Sequence, residues 1–276
     1  MSDARLILAR PDLAAASLEG LVAAKAYAAT RPYRCAAPAV GLRRAPDTGA
    51  EQLDQLLYGE GFDVLEAKDG WAWGQARRDG YVGYVRLDDL AEGMNAPTHR
   101  VSALRAYAFS SPDIKSAPVG LLSLNALVRI DGGDGRFLKD ADGGWIAAHQ
   151  LSEVGVFETD AAAVAERYIG APYQWGGRES LGLDCSGLVQ QALYACGLSC
   201  PRDSDQQANI GEAAAQDALK RGDLVFWKGH VGMMLDAARM IHANAFHMQV
   251  AIEPLAEALA RVGPATAFRR VSLLTA

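Results

Sequence analysis

The chain has 276 residues, half of them hydrophobic, and a formal net charge of -6 at pH 7. This length favours two or three compact units over one small core, and the mixed composition excludes a largely disordered protein. The acidic balance argues against nucleic-acid binding, which needs a basic face to neutralise phosphates. We therefore expect a soluble globular protein that has no nucleic-acid partner.

The start of the chain and its cysteines favour a cytoplasmic protein. The apolar run from Leu6 to Ala9 is too short for a secretion signal, and no later stretch reaches the length of a membrane span. We expect no membrane partner. The lack of any CxxC spacing argues against a zinc site or a redox pair among the four cysteines, which are Cys35, Cys185, Cys196 and Cys200. We expect free thiols and neither a metal nor another cofactor.

An amino-terminal helix is the first predicted element. Residues 12–30, DLAAASLEGLVAAKAYAAT, are rich in alanine, and leucine and valine recur at the spacing of one helical face. The Arg31-Pro32 dipeptide then interrupts the pattern. We assign residues 1–33 to a helical segment.

Two all-β SH3-like barrels are predicted next. From about residue 34 to 155, short alternating apolar runs are separated by Gly, Asp and Asn turns. A weak duplication relates residues 55–90 to residues 120–151, and each copy has the size and rhythm of a small five-stranded barrel. We place the barrels at 34–93 and 99–155, with a linker, EGMNAPT, between them.

Residues 158–276 are predicted to form one α+β domain. Helical spacing occurs in DAAAVAERYIG, CSGLVQQALYACG and EPLAEALARVG, and strand-like runs occur in GDLVFW, HVGMML and RMIHANA. In the second helix, the apolar residues from Leu188 to Cys196 are expected on one face, and Gly197 is expected to terminate it.

Cys185 is a candidate nucleophile because it lies where a loop turns into a helix. If Asp184 caps that helix, Cys185 falls in the first turn, where free backbone N–H groups and the helix dipole favour a thiolate. The same N–H groups can stabilise an oxyanion during acyl transfer. The alternative is a buried structural cysteine.

His230 and His242 are the candidate partners of this cysteine. A short turn near Asp236 to Arg239 would pair their strands antiparallel and bring both imidazoles to one region of a sheet. His230 would then take the thiol proton, and His242 would orient His230. The alternative is that each is an ordinary strand histidine with a satisfied hydrogen bond.

Six sequence blocks in this order resemble the NlpC family of papain-like cell-wall cysteine peptidases: PYQWGG, DCSGLV, PRDSDQQ, GDLVFW, HVGMML and MIHANA. The resemblance covers about residue 158 to the end and implies that Cys185, His230 and His242 are catalytic. The preceding barrels resemble the bacterial SH3 domains that often accompany these peptidases. The whole arrangement is most similar to family members that recycle muropeptides by removing L-Ala-gamma-D-Glu from free peptides.

The resemblance also implies substrate-binding residues. Asp184 would bind the free ammonium of the substrate, unless it serves only as a helix cap. Glu60 and Tyr81 of the first barrel would reach the same amino group, with Tyr84 as a second choice for the tyrosine; both tyrosines could instead be ordinary barrel surface. The first barrel is thus expected to wall the cleft.

Further positions of the family pattern are expected to line the glutamyl and ammonium sites, namely Ser186, Arg202, Asp203 and Ser204. An arginine or a serine hydroxyl suits the free carboxylate of a gamma-linked D-Glu, although Arg202 could be a surface charge and the Asp-Ser pair a turn. Tyr173 and Trp175 are expected to line the cleft or to pack in the core. His247 is expected in a loop.

The resulting prediction is an α+β papain-like cysteine peptidase domain at 158–276, preceded by two SH3-like barrels and an N-terminal helix. The expected partner is a muropeptide, L-Ala-gamma-D-Glu followed by diaminopimelate or Lys, and the expected state is a monomer. Two other functions are weighed against the peptidase: a wall-binding adaptor with an inert third domain, and acyl transfer on the same scaffold. The Cys185, His230 and His242 set disfavours the adaptor.

Overall fold

The computed structural model describes residues 3–272 of the chain. The chain divides into two compact units, one ending at Val154 and the other starting at Gly155. Each unit has its own sheets and its own buried apolar clusters. No described helix combines the length and the apolar character that a bilayer crossing requires.

The amino-terminal segment is not the helix that the sequence predicted. It contains two short parallel strands, β1 (Ala14–Ala15) and β2 (Tyr27–Ala28), and two 3-10 turns, Ala4–Leu6 and Ala16–Leu18. Between the strands, Gly20 has a φ of 80°, which interrupts any helix.

Tertiary packing explains why this segment is extended. Leu8 and Ala15 are buried in a cluster with Trp73, and Leu13 and Leu18 pack against it. Alanine favours a helix only weakly, whereas burying apolar side chains against a large aromatic ring contributes more free energy. The helical prediction for residues 12–30 was therefore wrong.

A seven-stranded antiparallel sheet follows. Its strands are β3 (Arg31–Cys35), β4 (Ala39–Arg43), β5 (Gln52–Leu57), β6 (Gly61–Lys68), β7 (Trp71–Ala76), β8 (Val82–Arg86) and β9 (Leu90–Glu92). Their order is β5-β4-β8-β7-β6-β3-β9. Alternating residues face a core that contains Leu42, Phe62 and Val85.

The remaining strands of the first unit form two smaller sheets. The strands are β10 (His99–Val101), β11 (Arg105–Phe109), β12 (Pro118–Ser123), β13 (Leu127–Val128), β14 (Ile130–Gly133), β15 (Phe137–Asp140), β16 (Trp145–Ala147) and β17 (Leu151–Glu153). The sheet orders are β13-β10-β17 and β12-β11-β16-β15-β14. Val101, Leu122 and Ile146 lie in a shared core.

The predicted strand-rich region is confirmed, but closed barrels are not seen among the described residues. β5 and β9 are opposite edges of an open sheet, and the strands from β10 to β17 divide between two sheets. The predicted duplication has a structural counterpart, because both parts end with a strand, a 3-10 turn and a short strand. These turns are Leu87–Asp89 and Ala148–Gln150.

The second unit mixes helices and strands, as predicted. Its helices are α1 (Ala161–Glu166), α2 (Cys185–Ala195), α3 (Ser204–Gln207) and α4 (Leu255–Val262). Its strands are β18 (Arg178–Glu179), β19 (Gly182–Leu183), β20 (Glu212–Ala213), β21 (Leu224–Trp227), β22 (His230–Met234), β23 (Arg239–Asn244), β24 (Gln249–Pro254) and β25 (Ala267–Arg270). Six strands form one antiparallel sheet in the order β20-β25-β21-β22-β23-β24.

Helix α2 lies in the interior of this unit. All of its residues are buried, not only the predicted apolar face, and it packs against α1 and β22. Gly197 follows it with a φ of 80°, as expected for a terminator. Helix α4 begins two residues later than predicted, because Pro254 ends β24 and Glu253 belongs to the strand. The interior position of α2 brings Cys185 to the sheet.

Candidate active site

Asp184 caps helix α2 and so fixes the position of Cys185. The Asp184 Oδ1 accepts a hydrogen bond from the N–H of Gly187 at 2.7 Å, and Oδ2 accepts one from the N–H of Gly176 at 2.9 Å. A carboxylate at this position satisfies amides that the first turn of a helix leaves without partners. The predicted cap is confirmed, and it holds Cys185 as the first residue of α2.

Arg202 completes a buried polar network around this cap. Its Nη1 and Nη2 lie 3.0 and 2.6 Å from Oδ1 and Oδ2 of Asp184, and Nη1 also donates to Ser186 Oγ at 2.9 Å. Ser186 Oγ donates to Asp184 Oδ1 at 3.1 Å. Because the Arg202 side chain is only 1% exposed, it is not the surface charge that was weighed as an alternative. A substrate ammonium at Asp184 would therefore share a carboxylate that already has charged and neutral donors.

Burial keeps the Cys185 thiol protonated. The residue is 7% exposed. Its burial, and then the charge of Asp184, raise the pKa of Cys185 from 9.0 to about 12, although the N–H groups of Val231 and Ser186 donate to the sulfur. The start of α2 was expected to favour a thiolate; instead, desolvation of the charged form outweighs the helix dipole and the donors.

His230 lies beside this thiol. The N–H of Val231 donates to Cys185 Sγ, and His230 is the preceding residue of β22. A tight turn positions the strand: Trp227 pairs with His230, and Gly229 adopts a φ of 74° that favours glycine. The backbone of β22 thus contacts the sulfur while its first side chain carries the candidate base.

His242 reaches His230 from the neighbouring strand, as predicted. Strands β22 and β23 are antiparallel, and the Asp236–Arg239 turn joins them. His230 Nε2 lies 2.8 Å from His242 Nδ1, and the ring centroids are 5.1 Å apart. A hydrogen bond between these nitrogens requires one to donate and the other to accept.

Both imidazoles are neutral at pH 7. Burial, as the largest cause, lowers the pKa of His230 and of His242 from 6.5 to about 4. The charges of Glu253 and Asp184 oppose the shift at His230, and a positive charge on His230 would lower the pKa of His242 further. A neutral imidazole has one unprotonated nitrogen, so His230 can act as a proton acceptor.

Glu253 is a member of this cluster that the sequence analysis missed. Its Oε1 lies 2.6 Å from His242 Nε2, off the line of a straight N–H···O bond, and both of its oxygens contact the Arg261 guanidinium. Glu253 is 5% exposed. A signal existed in the sequence, because a carboxylate at an inward position of a strand must find a partner. Assigning Glu253 to the late helix hid this position.

Four further predicted residues belong to the PYQW and PRDS blocks. Tyr173 is half-buried, and its pKa is raised by burial and then by the charges of Cys185 and Asp184, which places it near the thiol. Trp175 is 60% exposed. Asp203 precedes α3 in a capping box with Gln206, and Ser204 is buried as the first residue of α3. Their roles in substrate binding stay predictions.

The predicted residues of the first unit are engaged within that unit. Glu60 is buried, its Oε1 accepts from Arg78 Nε at 2.9 Å, and its Oε2 accepts from the N–H of Leu57 at 3.0 Å. Tyr81 is 5% exposed and belongs to the core of the seven-stranded sheet, so it is not ordinary surface. Tyr84 is half-buried and accepts from Arg10 Nη1 at 2.9 Å. Contact of these three residues with substrate stays a prediction.

One cluster has the residue types of a metal site. The donor atoms of His242, His247 and Glu253 lie within 4.8 Å of one another. The Arg261 Nη1 lies 2.8 Å from Glu253 Oε2, however, and His247 Nδ1 lies 3.0 Å from Asn244 Oδ1. Because a resident guanidinium already compensates the carboxylate, a divalent cation would meet a positive charge at close range. The cluster is better described as a hydrogen-bonded extension of the histidine pair.

Two parts of the chain match known families. Residues 170–262 match the NlpC/P60 family, and residues 42–90 match the bacterial dipeptidyl-peptidase Sh3 domain. The first match contains Cys185, His230, His242 and Glu253. The second contains strands β5 to β8, whereas the predicted second SH3-like domain lies outside it.

Individual relatives extend over both parts of the chain. The chain is 26% identical over 231 residues to a gamma-D-glutamyl-L-lysine dipeptidyl-peptidase of Bacillus subtilis, covering 74% of this chain and 76% of that protein. It is 27% identical to a dipeptidyl-peptidase 6 of Lysinibacillus sphaericus, covering 77% and 87%. A crystal structure of an NlpC/P60 family protein from Bacillus cereus superposes with a TM-score of 0.77 at 22% identity, covering 87% of this chain and 99% of that one, which shows a shared fold. Residues 170–262 therefore form an NlpC/P60 family domain, and residues 42–90, earlier in the chain, form a bacterial SH3 domain.

Proposed function

We propose that the protein is a cysteine peptidase that cleaves peptidoglycan-derived peptides after gamma-D-glutamate. The substrate would carry a free amino-terminal L-Ala, and the product would be L-Ala-gamma-D-Glu. The observation that carries the proposal is the junction of three groups: Cys185 at the start of α2, His230 next to the Val231 amide that contacts its sulfur, and His242 2.8 Å from His230. This is the arrangement that nucleophilic acyl transfer requires.

In the first half of the proposed reaction, Cys185 Sγ attacks the gamma-carbonyl carbon of D-Glu while His230 takes the thiol proton. Because the resting thiol and imidazole are both neutral, proton transfer accompanies attack instead of preceding it. Backbone N–H groups at the start of α2 are suitably placed to stabilise the oxyanion. The C–N bond then breaks, and His230 protonates the leaving amine of the diamino acid.

In the second half, water hydrolyses the thioester between Cys185 and the dipeptide. His230 removes a proton from the water, the oxygen attacks the thioester carbonyl, and the C–S bond breaks. The dipeptide leaves with a carboxyl group at its gamma carbon, which loses its proton to the solvent, and Cys185 regains its proton from His230. His242 holds the His230 ring throughout, so that one base serves both steps.

The relatives support this choice of substrate. Two proteins that align with about three quarters of the chain are named as a gamma-D-glutamyl-L-lysine dipeptidyl-peptidase and a dipeptidyl-peptidase 6. The Asp184 carboxylate near Cys185 would also suit a substrate ammonium, provided that it is shared with Arg202. A free amino terminus exists only on peptides already detached from the glycan, so we propose a role in the recycling of such peptides, with the cytoplasm as the proposed location.

Two other functions compete with this proposal. A wall-binding adaptor would not need the buried Cys185, His230 and His242 cluster, in which burial keeps two histidines neutral and able to accept a proton. An acyltransferase would form the same thioester but transfer its acyl group to an amine or an alcohol instead of to water. The cluster favours chemistry over binding, and the acceptor decides between the two reactions.

The decisive experiment compares a free peptide with its blocked form. The protein is incubated with L-Ala-gamma-D-Glu-meso-diaminopimelate, with the Lys-containing peptide, and with the amino-acetylated form of each, and products are followed by mass spectrometry. We expect L-Ala-gamma-D-Glu from the free peptides only. Cleavage of both forms would make the protein a wall endopeptidase, and cleavage of none would shift the weight to the adaptor or to acyl transfer.

A further inference from the structure

The histidine pair has a polar partner beyond it. From Cys185 the groups follow one another as His230, His242, Glu253 and Arg261, with His230 Nε2 2.8 Å from His242 Nδ1 and His242 Nε2 2.6 Å from Glu253 Oε1. His242 and Glu253 are 1% and 5% exposed. Glu253 is diagonal to His242 across β23 and β24, where His242 pairs with Ala251 and Met240 pairs with Glu253.

We propose that Glu253 is a positioning residue that sets the tautomers of both histidines. An unprotonated Nε2 would repel the carboxylate oxygen 2.6 Å away, so the carboxylate keeps the proton of neutral His242 on Nε2 although the oxygen lies off the N–H axis. Its Nδ1 is then unprotonated and accepts from His230 Nε2–H. His230 is left with Nδ1 as its only unprotonated nitrogen, which is the atom that must take the Cys185 proton. The kinetic consequence of this inference rests on the proposed function. The assignment of the tautomers does not.

Arg261 explains why Glu253 stays ionised in this setting. Burial has the largest single effect on the pKa of Glu253 and raises it, but the hydrogen bonds to Arg261 and the charges of His242, Arg261 and His247 together lower the pKa below its ordinary value. Arg261 extends from the last turn of α4 and is partly exposed. The carboxylate therefore remains an acceptor at neutral pH, which is the property that the tautomer mechanism needs.

Other charged groups near the imidazoles do not replace Glu253. Asp184 is bound by Arg202, and His247 contacts Asn244 through Nδ1. Without a carboxylate at position 253, His242 could carry its proton on Nδ1. Both nitrogens that face each other would then be donors, and His230 would have to turn or change its own tautomer.

The test is side-chain ¹⁵N NMR of the full chain labelled with ¹⁵N-histidine, in the wild type and in Glu253→Gln and Glu253→Ala. We expect His230 and His242 of the wild type to carry their protons on Nε2, and His242 to populate the Nδ1–H form in Glu253→Ala. The amide of Glu253→Gln can turn either atom towards His242, so an intermediate mixture is expected. An Nδ1–H form of His242 in the wild type would overturn the inference.

Kinetics provide the second measurement. On the peptide that the wild type cleaves, Glu253→Ala should lower kcat on the order of 10²-fold with little change in KM, because a wrong tautomer removes the base and not the binding site. Glu257→Gln is the matched control: Glu257 is an exposed acid of α4 that also faces Arg261, and its loss should change neither the tautomers nor kcat. Unchanged tautomers and kcat in a folded Glu253→Ala protein would also overturn the inference. If no peptide is cleaved by the wild type, the NMR result still decides about Glu253.

Discussion

Arg202 binds both carboxylate oxygens of Asp184, the residue that precedes the candidate nucleophile, through contacts of 3.0 and 2.6 Å. The same carboxylate accepts from Gly187 N–H in the first turn of α2 and from Gly176 N–H in the preceding loop. One buried ion pair therefore connects the loop before Cys185, the start of its helix and the PRDS block 18 residues later. The position of the thiol depends on this connection.

Loss of the Arg202 charge should destabilise the second unit. In Arg202→Met the buried Asp184 keeps its charge without its cationic partner, and we expect a loss of about 3–5 kcal/mol in the free energy of unfolding. Urea denaturation followed by the helical circular dichroism signal measures this, since the four described α-helices lie in that unit. Arg239→Met is the control, because the Arg239–Asp236 pair is exposed to solvent and its loss should leave the free energy of unfolding nearly unchanged. Equal losses in the two variants would contradict the role given to the buried pair.

Replacement of Cys185 separates a nucleophile from a packing residue. Cys185→Ala should abolish release of the dipeptide while leaving the fold and peptide binding intact, because it removes only the sulfur. Mass spectrometry of products and calorimetric titration with the free peptide measure the two effects. Cys196→Ala is the matched control: Cys196 is also a buried free thiol, at the other end of α2, and its loss should leave turnover in place. Residual turnover in Cys185→Ala would refute the mechanism.

The pH dependence should show that the base stays neutral well into the acid range. Burial lowers the pKa of His230 to about 4, so the protonated form, which cannot accept a proton, accumulates only as the pH falls through that value. We expect the acid limb of kcat/KM near pH 4 and no limb at the ordinary histidine value of 6.5. Circular dichroism at each pH distinguishes loss of the base from unfolding. An acid limb near 6.5 in folded protein would mean that His230 is more hydrated than its burial implies.

Gly187 should be intolerant of a side chain. A Cβ on Gly187 would lie 2.3 Å from the carbonyl oxygen of Gly177, a backbone atom that cannot simply rotate away. Gly187→Ala should therefore displace the first turn of α2 and cost about 1–3 kcal/mol of stability. Because this turn carries Cys185, kcat should fall as well. Gly132→Ala, where a Cβ has open space, is the control and should be neutral in both measurements.

The parts of the site that are close in sequence were the most predictable. An aspartate before an apolar helical pattern is a local capping signal, and the short turn near Asp236 to Arg239 determines that β22 and β23 pair. The cap at Asp184 and the pairing of the strands that carry His230 and His242 could therefore be predicted from local signals, whereas the family resemblance was needed to join them to Cys185. Two closed barrels were predicted but are not seen among the described residues, because alternation predicts strands and does not predict which sheet edges meet.

Other features depend on contacts that the local pattern does not contain. Alanine-rich residues 12–30 have helical spacing, but their extended path is set by Trp73, which lies far along the chain. The bond between Asp184 and Arg202 joins residues on two separate elements. Glu253 was missed because Pro254 begins a helix-like run, so that the carboxylate before it resembled a helical residue and not the end of a strand. Protonation of the thiol also required the structure, since burial decides it.

The protonated, 7% exposed thiol has a consequence for oxidative chemistry. Peroxides and alkylating reagents react with thiolates, and a cysteine whose pKa is about 12 presents almost none at neutral pH. The resting protein should therefore resist oxidation to sulfenic acid. This oxidation inactivates cysteine enzymes that have a preformed thiolate. Such a protein would keep its activity in an oxidatively stressed cell and become vulnerable only during turnover, between cleavage of the C–S bond and the return of the proton from His230.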